Sequence, residues 1–236
     1  MNISTKRILK DLNQLEKNNL NSHGIYHNLF DDDIYKLNIL MIGPTNTPYE
    51  HGFYFFNIEM PKDYPFSPPK VKYCTQDGKT RFNPNLYVNG KVCLSIINTW
   101  SGPGWTSCNT ISTVLLSIQA LVFTENPLHN EPGYEKDNGI KNTNYNILLT
   151  YNNFKTSIHK MIISPPLTFE YFNSITIKLF IDNYETILKN IETNIDKHDK
   201  FYYLNIYNMS DKLDYILLKK NINDLYKSII ELNCKI

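Results

Sequence analysis

Hydrophobic and polar positions alternate clearly in three stretches. Over 34–42 the odd positions Tyr35, Leu37, Ile39 and Met41 are apolar while Lys36 and Asn38 interrupt the even ones, predicting a half-buried strand that ends at Gly43-Pro44. Over 53–60 the residues Tyr54, Phe56, Ile58 and Met60 share one face with Asn57 and Glu59 opposite, and 70–74 repeats the alternation through Val71 and Tyr73. Strands at such short spacing predict an antiparallel meander. Helical spacing appears elsewhere. Ser4 is a candidate N-cap, with Ile3 and Ile8 placed as a hydrophobic staple and Leu12 and Leu15 continuing the face; Lys6, Arg7, Lys10 and Lys17 fall off it and read as a solvated side. From Thr110, the residues Ile111, Val114, Leu115, Ile118, Leu121 and Val122 predict a central buried helix that ends by Asn126-Pro127. Shorter amphipathic helices follow through Tyr145, Leu148, Phe154 and Ile158, stopping before Pro165-Pro166.

That double proline is the natural boundary, which divides the chain into 1–163 and a helical extension, 164–236. Two longer helices are predicted in the extension, over 169–191 and 210–232, joined by a polar and aromatic connection. Their apolar faces require cover, so the extension packs on the main domain. The fold class is α+β: an N-terminal helix, a meander of three or four strands, a central helix and C-terminal helices.

Two irregular segments stand out. Tyr64-Pro65-Phe66-Ser67-Pro68-Pro69 fixes three φ angles and predicts a rigid loop. From 81 to 105 no periodicity is sustained, yet the stretch holds Phe82, Tyr87, Trp100 and Trp105; a long coil so rich in aromatics is ordered and predicted to carry the function.

Composition narrows the picture further. With 236 residues, 42% hydrophobic and 20% charged, the chain can bury a large core, and 24 Lys+Arg against 23 Asp+Glu give +1, too little to gather nucleic acid by a general field. No apolar run reaches the roughly 20 residues of a membrane span and no secretory h-region opens the chain, so the expectation is an intracellular protein, cytoplasmic or nuclear, with neither nucleic acid nor membrane as partner. Cys74, Cys93, Cys108 and Cys234 include no C-x-x-C pair, which argues for free thiols without metal or disulfide. Of these only Cys93 lies in the long coil. A lone cysteine flanked by Val92 and Leu94 is ordinarily an inert small hydrophobe.

Its surroundings change that weight. Asn83-Pro84-Asn85 with Cys93 eight positions after Asn85, then Trp100, all downstream of the proline loop, resembles the ubiquitin-conjugating enzyme family. In that family a His-Pro-Asn tripeptide and a Tyr-Pro-x-x-Pro-Pro loop precede the active-site cysteine in this order. Asn83 stands in place of the histidine. Together with Gly90-Lys91-Val92-Cys93-Leu94-Ser95 and Asn126-Pro127-Leu128-His129-Asn130-Glu131-Pro132-Gly133, this is similar to the branch of large Z-type and giant BIR-repeat conjugating enzymes.

The resemblance implies the conjugating (UBC) fold over 1–163 and a defined chemistry. Cys93 would take ubiquitin, or a ubiquitin-like modifier, from an activating enzyme as a thioester and pass it to a substrate lysine or a ligase. Thioester exchange asks for access more than for a base, since an ordinary thiol is already a few per cent ionised near neutrality; Cys93 is therefore expected to be exposed. Asn85 would support the oxyanion or simply shape the turn. His129, with Glu131 two residues on, would orient or deprotonate the incoming amine, or serve only as a loop residue. Ser95 stands where relatives often carry Asp. Lys6, Lys10, Phe66, Trp100 and Pro103 occupy the positions that meet activating enzymes and ligases, although Phe66 could equally cap the core. No metal or cofactor is expected. Two other readings remain open: a non-catalytic scaffold of the same fold, and a cysteine hydrolase built on Cys93, His129 and Asn126.

Overall fold

The computed structural model describes residues 2–233, so the expectation for Cys234 lies outside the described residues. The first helix, α1 (Ile3–Lys17), is capped by Asn2, whose side chain accepts from the Thr5 N–H at 2.7 Å. Ser4, the expected cap, is buried inside the helix instead, and its hydroxyl has no partner among the described residues. The predicted solvated side of α1 also needs correction. Arg7 turns inward, its guanidinium donating to the Asp11 carboxylate and to the backbone oxygens of Ser107 and Asn109.

A four-stranded antiparallel meander follows in the order β1 (Ile25–Phe30), β2 (Asp33–Ile42), β3 (Phe53–Glu59) and β4 (Lys70–Tyr73). The alternation located the last three. In β1 the pattern Ile-Tyr-His-Asn-Leu-Phe leaves only Ile25 buried, so alternation marks it weakly. Strand β2 pairs Leu37 with Ile58 and Ile39 with Phe56. The expected half-burial fails from Leu37 onward, where five consecutive residues, Leu37 to Met41, are buried. The reason is a second covered face. Phe55 on β3 meets Phe169 with ring centroids 4.8 Å apart and Phe172 at 6.3 Å. Asn57 donates to Asn38 across the strands at 2.7 Å, and Asn38 donates to the Thr168 carbonyl at 2.6 Å. The extension thus begins by strapping itself across the sheet.

Helix α2 (Ile111–Val122) starts with a reciprocal cap between Thr110 and Thr113. It buries Ile111, Val114, Leu115, Ile118 and Val122 on the inner face of the sheet; Leu121, expected on that face, is exposed. Helix α3 (Ile140–Asn152) runs on through a π-helical stretch, Asn153–Lys160, into the short α4 (Met161–Ile163). The widened turn of a π-helix brings Asn153 into the core. There it accepts from Tyr54 Oη at 2.7 Å and donates to the Glu50 carbonyl at 2.8 Å. Gly52 makes this possible, because a Cβ there would sit 2.1 Å from Asn153 Oδ1.

In the extension, α5 (Asn173–Thr193) and α6 (Tyr215–Asn233) pair through stacked Tyr184 and Tyr226 rings 3.7 Å apart. The connection between them is not plain coil. It folds into a hairpin, β5 (Phe201–Leu204) with β6 (Met209–Lys212), whose turn runs through Asn205–Tyr207. Asn208 supplies the left-handed residue at φ 50° that ends the turn. No described helix is long and apolar enough to cross a membrane.

Candidate active site

The long coil is ordered by backbone pairing. Tyr73 donates to the Gly90 carbonyl at 2.8 Å and Lys91 bridges Lys72, so the Tyr87–Gly90 turn hangs from the edge of β4. Gly90 sits at φ +92° with the Tyr73 oxygen only 2.9 Å from where a Cβ would be; both facts call for glycine. Val92 then pairs back onto Leu86, which sets Cys93 beside the tripeptide.

Asn85 and Cys93 hold each other twice. The Cys93 N–H donates to the Asn85 carbonyl at 2.9 Å, and Asn85 Nδ2 donates to the Cys93 carbonyl at 2.6 Å. Asn83 is fully buried behind them. Its Nδ2 donates to the Val122 carbonyl at 2.8 Å and to Tyr49 Oη at 3.2 Å, while its Oδ1 accepts from the Asn85 N–H at 2.8 Å and from Asn130 Nδ2 at 3.3 Å. An amide offers two donors and an acceptor at this junction, and all are used. Burial drives the Tyr49 hydroxyl pKa far up, so that group stays a neutral hydrogen bonder, donating to the Phe82 carbonyl at 2.7 Å.

The expected exposure of Cys93 is not met: the residue is only 2% exposed. It nevertheless stands outside the continuous apolar core to which Val92 and Leu94 belong. The chain after it folds back tightly, with Leu94 N–H donating to Thr99 Oγ1 at 2.9 Å and Thr99 N–H to the Leu94 carbonyl at 3.1 Å. Gly102 lies against Ser95, its Cβ position 3.2 Å from the Ser95 Cβ. Cys74, by contrast, is packed against the core, and burial pushes its thiol up to about 11. That suits the inert role.

His129 sits on the 3-10 turn Pro127–Asn130 with Nε2 3.0 Å from the Asp137 carbonyl. A carbonyl only accepts, so Nε2 carries the proton and Nδ1 is the remaining basic atom. Asn126 is bonded to Asn142 Nδ2 at 2.8 Å. The His129 backbone N–H donates to the Asn126 carbonyl at 3.1 Å, but among the described residues no side-chain hydrogen bond joins His129 to Cys93 or to Asn126, and the hydrolase triad is not assembled.

The five residues expected to meet partners are all exposed, Phe66 at 69% and Trp100 at 47%, so Phe66 does not cap the core. The three segments that bear them are tied from beneath. Tyr64 donates to the buried Asp11 carboxylate of α1, Trp105 Nε1 donates to the Pro65 carbonyl at 2.7 Å, and Arg7 reaches the 107–109 backbone. The sequence reading missed Arg7, Asp11, Tyr64 and Trp105 as positioning groups. It also missed Arg81, which donates to the carbonyls of Asn83 at 3.2 Å and Pro84 at 2.6 Å.

The site is thus a cysteine loop latched to an Asn-Pro-Asn turn, with a proline loop beside it, on a four-stranded meander backed by a central helix. The family model for ubiquitin-conjugating enzyme matches residues 7–163, and the chain belongs to that family. It is similar to Ubiquitin-conjugating enzyme E2 Z of Homo sapiens, 43% identical over 155 residues that make up 65% of this chain and 44% of that protein. The same-named protein of Danio rerio is 44% identical over 155 residues, 65% of this chain and 47% of that one. Probable ubiquitin-conjugating enzyme protein 17 of Caenorhabditis elegans is 38% identical over 205 residues, 81% of this chain and 28% of that protein. The last span is too long to fit within 1–163, so likeness reaches into the extension. This chain spans less than half the length of these relatives. The solved structure of human Ubiquitin-conjugating enzyme E2 G1 matches 48% of this chain and 88% of that one at 34% identity, with a TM-score of 0.42.

Proposed function

We propose that this chain accepts ubiquitin or a ubiquitin-like modifier from an activating enzyme as a thioester on Cys93 and transfers it to a substrate lysine or a ligase. The conjugating core is 1–163 and the extension 164–236. The observation that carries the reading is the double latch between Asn85 and Cys93, which fixes an amide beside the nucleophile's own backbone. In charging, the Cys93 sulfur attacks the activating enzyme's thioester carbonyl, a new C–S bond forms, the old one breaks, and the activating enzyme's thiolate leaves. In transfer, a lysine nitrogen attacks the Cys93 thioester, loses a proton, and Cys93 departs as thiolate.

A lysine of ordinary pKa about 10.4 is roughly 3 units from losing its proton at pH 7, so the second step needs help from the site. Asn85 spends one amide N–H on the Cys93 carbonyl; the other is the candidate donor to the developing oxyanion, a contribution typically worth about 3 kcal/mol. His129 belongs to the loop in this scheme, since the hydrogen bond to Asp137 accounts for its ring position. Lys6, Lys10, Phe66, Trp100 and Pro103 form the surface offered to activating enzyme and ligase.

The low exposure of Cys93 favours the competing reading, a non-catalytic scaffold. Conjugation requires the sulfur to be uncovered when the modifier's tail arrives. Incubation with activating enzyme, ATP and ubiquitin decides between them. A thiol-reducible adduct is expected, converted to a thiol-resistant ester in Cys93→Ser and absent in Cys93→Ala. No adduct, or one that persists in Cys93→Ala, overturns the assignment.

A further inference from the structure

The hairpin of the extension ends where the tripeptide begins. Tyr207, at the end of its turn, donates from Oη to Glu131 Oε2 at 2.7 Å, and its ring centroid lies 5.2 Å from the Arg81 guanidinium carbon. The same guanidinium carbon lies 3.4 Å from the centroid of Tyr87. Tyr207 also packs on Tyr145 with ring centroids 5.5 Å apart, and Tyr145 donates to the Arg81 carbonyl at 2.6 Å. Arg81 is therefore held at its backbone by one tyrosine, with its guanidinium against the rings of two others.

Two routes lead from this cluster into the site. Through Arg81, the fork of N–H groups fixes the carbonyls of Asn83 and Pro84. Through Glu131, the neighbouring Asn130 bonds Asn83 Oδ1, the atom that also receives the Asn85 N–H. Both converge on the orientation of Asn85. Burial, followed by the hydrogen bond to Glu131, drives the Tyr207 pKa far upward, so the phenol keeps its proton over any working pH.

We propose that Tyr207 is a positioning residue for the transfer step: the extension reaches back to the catalytic core and, through Arg81 and Glu131, sets the tripeptide that faces Cys93. The inference rests on the reading of Cys93 as the thioester-bearing nucleophile. It assigns the extension a part in catalysis beyond covering the sheet. Arginine against aromatic rings keeps its planar donors in one orientation. Removing one ring leaves the guanidinium free to leave the two carbonyls for water.

The test uses the full chain, charged with ubiquitin, freed of ATP and mixed with free lysine; discharge is followed per mole of thioester at several lysine concentrations. Counting only charged molecules removes any contribution from unfolded protein. Tyr207→Phe keeps the ring and loses the bond to Glu131, and about a threefold fall in the maximal discharge rate is expected, since only part of that bond's contribution is passed on to the tripeptide. Tyr207→Ala removes the ring as well and is expected to fall roughly tenfold or more, with the charging rate within about twofold of the parent. Tyr203→Ala, on the exposed side of the same hairpin, serves as control and is expected to discharge normally. Discharge within twofold of the parent in both Tyr207 variants overturns the proposal, as does charging that falls in step with discharge; Tyr207→Phe decides the matter if Tyr207→Ala does not fold. Absence of any Cys93 adduct on the parent chain is a different failure, that of the conjugation reading itself.

Discussion

At the scale of single residues, the site depends on side chains whose hydrogen bonds are saturated. Asp77 is an example on the approach to the tripeptide. Its carboxylate accepts from the Lys79 and Thr80 backbone N–H groups at 3.0 and 2.7 Å and from Thr80 Oγ1 at 2.6 Å, with Thr156 of the π-helical stretch at 3.3 Å. Burial works to raise its pKa, but the Thr80 and Lys79 hydrogen bonds prevail and hold it below the usual carboxylate range. A carboxylate with a depressed folded pKa contributes stability that is present above its unfolded value near 3.9 and lost as pH falls through the folded value. Asp77→Asn is accordingly expected to cost about 1–2 kcal/mol at pH 7 by chemical denaturation, the gap from the parent narrowing below about pH 4. Asn85→Ala tests the latch at the same scale, with about tenfold or greater slowing of lysine discharge and little effect on charging. The Asn-Pro-Asn tripeptide was legible in the sequence because its spacing to Cys93 is short. The partners of Asn83 were not, because Tyr49, Val122 and Asn130 lie 34, 39 and 47 positions away and no local pattern announces them.

At the scale of elements, the sheet strands and α2 follow from period-two and period-3.6 spacing, and the structure agrees wherever one face alone is buried. The reading failed where tertiary contacts reversed a local preference. Arg7 looks solvated on a helical wheel, yet two distant backbone acceptors, Ser107 and Asn109, together with Asp11 one turn on, draw it inward. The connection between α5 and α6 looks like loop because the hairpin strands carry mixed Tyr, Ser, Asp and Lys rather than clean alternation; strand pairing and docking against α3 make it a hairpin. The proline loop shows the opposite case, with local stiffness and tertiary anchoring in agreement. Tyr64 and the Pro65 carbonyl are fastened from below while Phe66 projects into solvent. Phe66→Ala is therefore expected to leave thermal stability within about 0.5 kcal/mol of the parent while weakening association with activating enzyme or ligase by more than about 1 kcal/mol, measured by titration.

At the scale of the molecule, the extension is structural as well as peripheral. Phe169 and Phe172 are essentially fully buried against Phe55, on the sheet face away from α2. Loss of such a side chain combines lost transfer energy with a cavity, and Phe172→Ala is expected to destabilise the whole chain by about 3–5 kcal/mol in denaturant titration. The unfolding transition should stay single, since the strap and the sheet share one packed layer. This is also why half-burial was the wrong expectation for β2: the pattern on a strand describes its own alternation, and only the fold reveals what lies against the second side.

The seclusion of Cys93 sets an order of reactivity. A sulfur at 2% exposure is shielded from small electrophiles and peroxide in the resting protein, whereas Cys108 stands open in the loop before α2. Brief treatment with a limiting alkylating reagent should mark the peptide carrying Cys108 before the one carrying Cys93. On the proposed reading of Cys93 as the thioester-bearing residue, its thiol would be spared irreversible oxidation between turnovers, a form of storage that an open groove does not provide.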